Sequence, residues 1–210
     1  MSRKRKEELK NILINRDRDD LIEWLKRESS PLRILTPMLF DPDILIQWRA
    51  VEAFGTFAAE KSKRELNYLR EVVRRMFWSM NDESGNLNRR APETIGEILY
   101  NAPELISEYG KVLISFTFEE PFERGAHWGV ARIAEKNPEA LKDFIGVIEV
   151  SLKDSDPYIR RFAAIALNVV YRGDRFTDKL SEVKKDVTPV EIYDVETGVF
   201  KTISLNEGIN

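Results

Sequence analysis

The sequence predicts an all-α protein: a right-handed α-solenoid superhelix of stacked helix pairs with a short C-terminal β-hairpin. Three observations predict it: a weak internal repeat, amphipathic segments between its copies, and a tail rich in β-branched and aromatic residues. Aligned small residues of the four copies are separated by 41, 38 and 34 residues. A period of this size fits one pair of helices with its turns. We expect the solenoid over 1–186, with clear repeats between 30 and 172.

The four copies share an acidic or proline-bearing loop, an apolar position and then a small residue. They cover 41–55, 82–96, 119–134 and 154–168, and the aligned small residues are Ala50, Ala91, Gly129 and Ala163. Short side chains let two helices approach closely, so the tightest crossings are expected at these positions. The loop acids are expected to cap the helices that follow, because a carboxylate accepts hydrogen bonds from unpaired N–H groups there.

Six further segments predict the helices that partner these copies. In the clearest, 62–80, apolar residues such as Leu66, Leu69, Val73 and Met76 recur at three- and four-residue spacing. The others are 5–14, 18–28, 31–40, 103–116 and 138–152. A single helix pair cannot bury its apolar faces alone, so the pairs are expected to stack.

The fourth copy, 154–167, carries a resemblance to a known family. Its pattern Asp-x-Asp-Pro-x-Ile-Arg-Arg-x-Ala-Ala-x-Ala-Leu is similar to the HEAT-like repeat of the phycobilisome-lyase type, and 41–55 is a good second copy. The other two copies diverge: Gln47, Asn88 and Ala126 stand where the pattern has the arginine present as Arg160. The resemblance covers roughly 30–170 and implies an α-solenoid, but no particular activity.

The tail, 187–210, differs in kind from the rest of the chain. Val190 and Ile192 alternate with polar neighbours, and a turn is expected at 196–198, where Gly198 supplies the freedom for a tight reversal. An isolated hairpin is marginally stable in water. It therefore either docks on its own solenoid as a cap, or recruits a strand from a partner or from a second copy, which would make a homo-oligomer.

The composition narrows the classes of function. With 42% hydrophobic residues among 210, the chain can bury a sizeable core as one domain. It has no cysteine and one histidine, which excludes disulfides, thiolate metal sites and thiol nucleophiles. A balance of 33 basic and 36 acidic residues argues against nucleic acid as the main ligand. The sequence has no bilayer-length apolar run and no secretory signal pattern, so we expect a cytoplasmic protein that does not enter the membrane.

The two positions before each aligned small residue form the candidate partner-binding surface. Equivalent positions of stacked repeats lie in a row, and arginine and tryptophan are enriched at binding hot spots. The predicted row is Trp48, Arg49, Arg89, Arg90, His127, Trp128 and Arg161. The structural alternative is that the aromatic rings pack between repeats and the arginines pair with loop acids such as Asp43 and Asp156.

The loop 81–86 is the least repeat-like segment, and Glu83 within it joins the partner-binding set because polar loops often carry function. Its residues lack the spacing of a calcium-binding loop, so no metal site is predicted. His127 invites a catalytic role, but no nucleophile pattern accompanies it. We therefore predict neither catalytic residues nor a cofactor.

These patterns favour a non-catalytic scaffold or adaptor that binds a protein or peptide partner on the solenoid surface. One alternative is a nucleic-acid-binding protein similar to DNA alkylation-repair glycosylases of helical-repeat fold, with tryptophans stacking on bases. Another is an accessory protein for cofactor attachment, as the resemblance to bilin-lyase subunits implies. HEAT-repeat di-iron hydroxylases are excluded, because they need several His-Glu pairs. For the scaffold, we predict that replacing Arg89 and Arg90 by Ala weakens binding and leaves the fold intact.

Overall fold

The computed structural model describes residues 3–81, 87–171 and 180–209. It is mostly helical and ends in a two-stranded sheet, which confirms the coarse fold class. The helices are α1 Arg3–Asn15, α2 Arg18–Arg27, α3 Leu32–Leu35, α4 Ile44–Lys61, α5 Leu66–Trp78, α6 Ala91–Asn101, α7 Ile106–Ser115, α8 Glu123–Lys136 and α9 Pro157–Val170. The strands are β1 Pro189–Asp194 and β2 Val199–Ser204. The 3₁₀ segments are Thr36–Phe40, Pro103–Leu105, Phe116–Phe118, Pro138–Leu141, Ile145–Lys153 and Val183–Lys185.

Four helices, α4, α6, α8 and α9, lie side by side in that order, and we call them the inner row. The remaining helices pack behind them: α1 to α3 on α4, α5 on α6, α7 on α8, and the 3₁₀ segment Ile145–Lys153 on α9. Near the helix starts Arg90 reaches Gln47, and near the helix ends Arg132 reaches Glu97. Because the N-terminal ends of neighbouring helices lie together, and their C-terminal ends do too, the helices of the inner row are parallel.

The turns before α4 and α9 have the same construction. The backbone N–H of Asp43 donates to the Asp41 carboxylate at 3.1 Å, and that of Asp156 donates to the Asp154 carboxylate at 2.8 Å. Asp43 and Asp156 then cap α4 and α9 at 2.9 Å each, as predicted. The capping prediction is wrong for α8, which follows Phe122 without a side-chain cap.

The closest helix crossing in the inner row joins α6 and α8 at Gly96 and Gly129. A Cβ on Gly129 would lie 2.9 Å from the Pro92 carbonyl oxygen, and one on Gly96 would overlap the Gly129 backbone. The prediction for Gly129 is therefore confirmed. On the α6 side this contact is made by Gly96, and the predicted residue, Ala91, is the first residue of α6.

The segment 138–152 does not form the predicted α-helix. It folds as two 3₁₀ segments, Pro138–Leu141 and Ile145–Lys153. Gly146 and the β-branched residues Val147, Ile148 and Val150 lower the helix propensity of the second half. The predicted helix 31–40 is likewise divided into α3 and a 3₁₀ turn.

The tail forms the predicted hairpin. β1 and β2 pair antiparallel, from Pro189 opposite Ser204 to Asp194 opposite Val199, and Gly198 in the turn has a φ of +72°. Val190 and Ile192 are buried, as their alternation predicts, and Tyr193 is buried too. Within the described ranges, no helix combines the length and apolar character required to span a membrane.

Candidate functional site on the inner row

The hairpin lies across the inner row, with its turn at the α1 end and the exit from β2 at the α9 end. Arg16 donates to the carbonyl oxygens of Val195 and Glu196 at the turn. Arg161 of α9 reaches the segment that follows β2, at Leu205 and Glu207. The hairpin therefore covers the face on which the sequence places the candidate partner-binding row.

Arg161 holds the segment after β2 through main-chain carbonyls. Its Nη1 lies 3.3 Å from the Ser204 oxygen, 2.6 Å from the Leu205 oxygen and 2.8 Å from the Glu207 oxygen. The side chain is buried, and burial lowers the pKa of the guanidinium from its usual value. The bound carbonyl oxygens take the place of water around this cation.

Arg49 and Arg16 hold the turn of the hairpin. Arg49 donates to the Gly198 oxygen at 3.1 Å and, on its other side, to the Leu13 oxygen at 3.0 Å. Arg16 forms a bidentate ion pair with Glu52, with separations of 3.0 and 2.8 Å, while it binds the turn. It does so with a φ of 55°, a left-handed backbone that a non-glycine residue seldom adopts.

An aromatic stack holds the part of the hairpin next to its turn. The rings of Trp48 and Tyr193 are stacked with centroids 5.0 Å apart, and Trp128 meets Trp48 edge-on at 5.0 Å. Phe200 of β2 extends the cluster to 5.5 Å from Tyr193. Both tryptophans are almost completely buried, so they are core residues beneath the hairpin.

Arg89 and Arg90, at the start of α6, have different surroundings. Arg90 donates to Glu93 at 2.5 Å and to Gln47 at 3.1 Å, with its guanidinium 4.9 Å from the Trp48 ring centre. Arg89 is exposed and forms no hydrogen bond or ion pair with any described residue. Glu93 is 2% exposed, and burial raises the pKa of its carboxyl group. Because Arg90 offsets this buried acid, its replacement would perturb the fold, contrary to the prediction.

His127 is 1% exposed and lies within α8. Its Nδ1 lies 2.8 Å from the Glu123 carbonyl oxygen, which can only accept, so Nδ1 carries the proton. Nε2 has no partner among the described residues, and burial lowers the pKa of the imidazole. No three His, Asp or Glu side chains in the described part of the chain are grouped as ligands for a metal ion.

Two cavities flank the hairpin. The larger, about 550 Å³, lies towards the helix ends beside Val195, and its charged groups are largely paired: Arg16 with Glu52, and Arg132 with Glu97 at 2.8 Å. The smaller, about 240 Å³, lies at the helix starts. We call it the arginine cavity, and its lining includes Trp48, Arg89, Arg90, Arg124, Tyr158 and Phe200.

The structure brings most of the predicted site residues together on the inner row but does not leave them free. Trp48, Trp128, His127 and Arg161 are buried, and Arg49 is half-buried under the hairpin turn; Arg89 alone of the predicted row is exposed. Glu83 lies outside the described residues. The expected pairing of Arg49 and Arg161 with loop acids is wrong, because both bind main-chain carbonyls.

Sequence reasoning missed Arg16, Glu93, Arg124 and Tyr193. Arg124 pairs with Asp156 at 3.2 Å, and its guanidinium lies 4.4 Å from the Tyr158 ring centre. The only signal for it was its place at the start of a repeat helix, like Arg90. Arg16 and Tyr193 acquire their contacts through residues far away in sequence, for which no local pattern exists.

Fold and site together define a helical protein that carries its own C-terminal hairpin across its inner row. An uncharacterized protein of Archaeoglobus fulgidus is 30% identical to the chain over 169 residues, which is 80% of this chain and 87% of that protein. The chain belongs to the same family as that archaeal protein. No family model matches the chain, and no solved structure matches it.

Proposed function

We propose that the chain is a non-catalytic adaptor, a HEAT-like α-solenoid whose inner row binds a peptide segment of a protein partner. The order of the inner row supports the solenoid, since each of its helices packs on the next and carries its partner segment behind it. The identical turns before α4 and α9 support a common repeat.

The observation that carries the proposal is how the hairpin is held. Arg16, Arg49 and Arg161 donate to six main-chain carbonyl oxygens of the tail. Main-chain carbonyls are common to every peptide, and the six bound here lie in the hairpin turn and at the end of β2, so these donors suit a segment that presents turns at the same spacing. The Trp48 ring adds a flat anchor for one aromatic side chain, which Tyr193 supplies here.

A peptide in trans tests this reading of the inner row. A fluorescent peptide of residues 188–205 is titrated into the full chain and into the Tyr193→Ala variant, whose own hairpin has lost its stack on Trp48. We expect binding to the variant and about ten-fold weaker binding to the unaltered chain, because the resident hairpin competes.

The matched control is Tyr68→Ala, which removes a half-exposed ring on α5 that meets Phe57 of α4 and has no ring contact with the described residues of the hairpin. It should bind the peptide as weakly as the unaltered chain. Equal binding to the two tyrosine variants, or no binding to either, would contradict the proposal.

The partner itself is sought with the full chain as bait in an extract of the source organism. A partner that uses the inner row is retained more strongly by Tyr193→Ala than by the unaltered chain or by Tyr68→Ala. A protein retained equally by all three baits binds elsewhere.

A further inference from the structure

We propose that the arginine cavity binds a small aromatic anion, a planar ring that carries an N–H donor and a phosphate or carboxylate group. The cavity measures about 240 Å³, and its walls come from all four helices of the inner row and both strands of the hairpin. That volume accommodates one ring system with its anionic group. This site goes beyond the adaptor function and does not depend on it.

The cationic part of the site has unused capacity. Arg89 forms no hydrogen bond or ion pair with any described residue, and Arg124 has a 59% exposed side chain whose pairing with Asp156 is 3.2 Å long. The starts of α6 and α8 point to the same edge, where helix dipoles favour negative charge. An arginine fork matches a phosphate or carboxylate group in shape as well as in charge.

The planar part of the site consists of stacked rings and guanidinium groups. Arg90 lies over Trp48 at 4.9 Å, and Arg124 lies over Tyr158 at 4.4 Å. Phe200 closes the side formed by the hairpin. Both rings are buried, so a ligand would stack on the guanidinium groups that lie over them. Such planar cations favour a planar, electron-rich ring over an aliphatic ligand.

Glu93 supplies an independent sign of a ligand. This fully buried carboxylate lines the cavity, and while its Oε1 accepts from Arg90, its Oε2 has no hydrogen-bond partner among the described residues. A buried acceptor without a donor is costly, by about 1–3 kcal/mol. A Cβ on Gly125 would lie 2.5 Å from this oxygen, so glycine leaves the carboxylate room at the wall. A ring N–H would provide the missing donor once the carboxylate turns from Gly125 towards the cavity.

Two kinds of small molecule share this chemistry, and calorimetric titration of the full chain at low salt separates them. The probes are guanosine monophosphate and indole-3-acetate, with guanosine and inorganic phosphate as half-ligands. We expect one or both of the complete anions to bind about ten-fold more tightly than either half-ligand, because stacking and charge act together. Whichever of guanosine monophosphate and indole-3-acetate binds more tightly shows whether the ligand carries a phosphate or a carboxylate group.

Variants connect this binding to the cavity. Arg89→Ala and Arg124→Ala remove exposed side chains, so the fold should persist, and each is expected to weaken binding about ten-fold. Glu191→Gln removes an exposed acid from the rim and should strengthen binding a few-fold, a gain that lost stability cannot produce. The control Arg18→Ala, beside the larger cavity, should change nothing.

Three results would overturn the site. The first is failure of both complete anions to bind. The second is affinity unchanged in Arg89→Ala and Arg124→Ala. The third is half-ligands that bind as tightly as complete ones. None of them affects the peptide titration, so the site and the adaptor function fail separately.

Discussion

Arg161 and Arg132 are both substantially buried, yet their surroundings differ. Arg132 has two carboxylates, Glu97 at 2.8 Å and Glu135 at 2.5 Å, and these outweigh burial and raise its pKa. Arg161 has main-chain carbonyls only, and its pKa is lowered. The charge of Glu207 favours this cation without a side-chain hydrogen bond to it, so Arg161 depends on the position of its carbonyl acceptors and couples the folding of α9 to the binding of the tail.

Replacement of Arg161 by Leu should therefore destabilise the whole chain. Three carbonyl oxygens of the tail would lose their donor, and we expect a loss of about 3 kcal/mol in the free energy of unfolding. Urea denaturation followed by circular dichroism measures it. Arg33→Leu, an exposed arginine on α3, serves as control and should stay within about 0.5 kcal/mol of the unaltered chain.

His127 gives the stability a dependence on pH. Burial lowers its pKa in the folded chain, so below about pH 6.5 the unfolded chain binds more protons than the folded one. The free energy of unfolding should consequently fall as the pH drops from about 7.5 to about 5, by at most about 1.4 kcal/mol per unit.

The His127→Gln variant isolates this contribution, because it lacks the titrating ring and keeps every other group. Glu93 and Glu97 have raised pKa values and act in the opposite direction, and the comparison cancels them. Urea midpoints across this pH range should decline more steeply for the unaltered chain. Parallel curves for the two proteins would show that His127 is not responsible.

Among the helices, the crossing of α6 and α8 is limited by backbone contact. In an isolated helix Ala is more stabilising than Gly by about 1 kcal/mol. At Gly96 we expect the reverse, a loss of about 1–3 kcal/mol in Gly96→Ala, because the new methyl group would overlap the Gly129 backbone. Thermal denaturation measures the difference.

Gly146→Ala is the matched control. Its Cβ would lie 3.4 Å from the Tyr171 hydroxyl oxygen, an ordinary contact distance, so a change within about 0.5 kcal/mol is expected. Equal losses in the two variants would contradict the role of the α6–α8 crossing.

The sequence was informative where structure is local and repetitive. The Asp-x-Asp turns at 41–43 and 154–156, the amphipathic helix within 62–80 and the Gly198 turn follow from neighbouring residues, and all three are present, whereas the helix predicted at 138–152 is not. The row of Trp48, Arg49 and Arg161 was also recognisable. That the hairpin covers this row could not be recognised, because residues 193–207 lie far from the row in sequence. Alternation placed Val190 and Ile192 inside but could not anticipate the stacking of Tyr193 on Trp48.

At the scale of the whole molecule, the hairpin turn connects the two ends of the chain. Gly198 has a positive φ, and a Cβ there would lie 2.5 Å from Arg16 Cδ. Gly198→Ala should therefore lower the free energy of unfolding by about 1–3 kcal/mol, because the backbone is strained and Arg16 is displaced. Hydrogen exchange should accelerate in α1 as well as in the hairpin.

Gly208→Ala separates these two causes. Gly208 also has a positive φ, but no atom of the described residues lies within 4 Å of its Cβ position, so only the backbone strain applies. Gly208→Ala should lower the free energy of unfolding by about 1 kcal/mol and leave the rate of hydrogen exchange in α1 unchanged. Faster exchange of α1 in this variant too would refute the link through Arg16.

A row of helices in which each packs only on its neighbours can bend and can unfold from either end. In this chain the tail runs across the inner row and contacts Arg161 of α9 at one end and Arg16, next to α1, at the other. Opening of the row at either end would therefore require these contacts with the tail to break. A partner that displaces the tail, as proposed above, would also remove the connection between the two ends of the row. Occupancy of the inner row and the flexibility of the molecule would then change together.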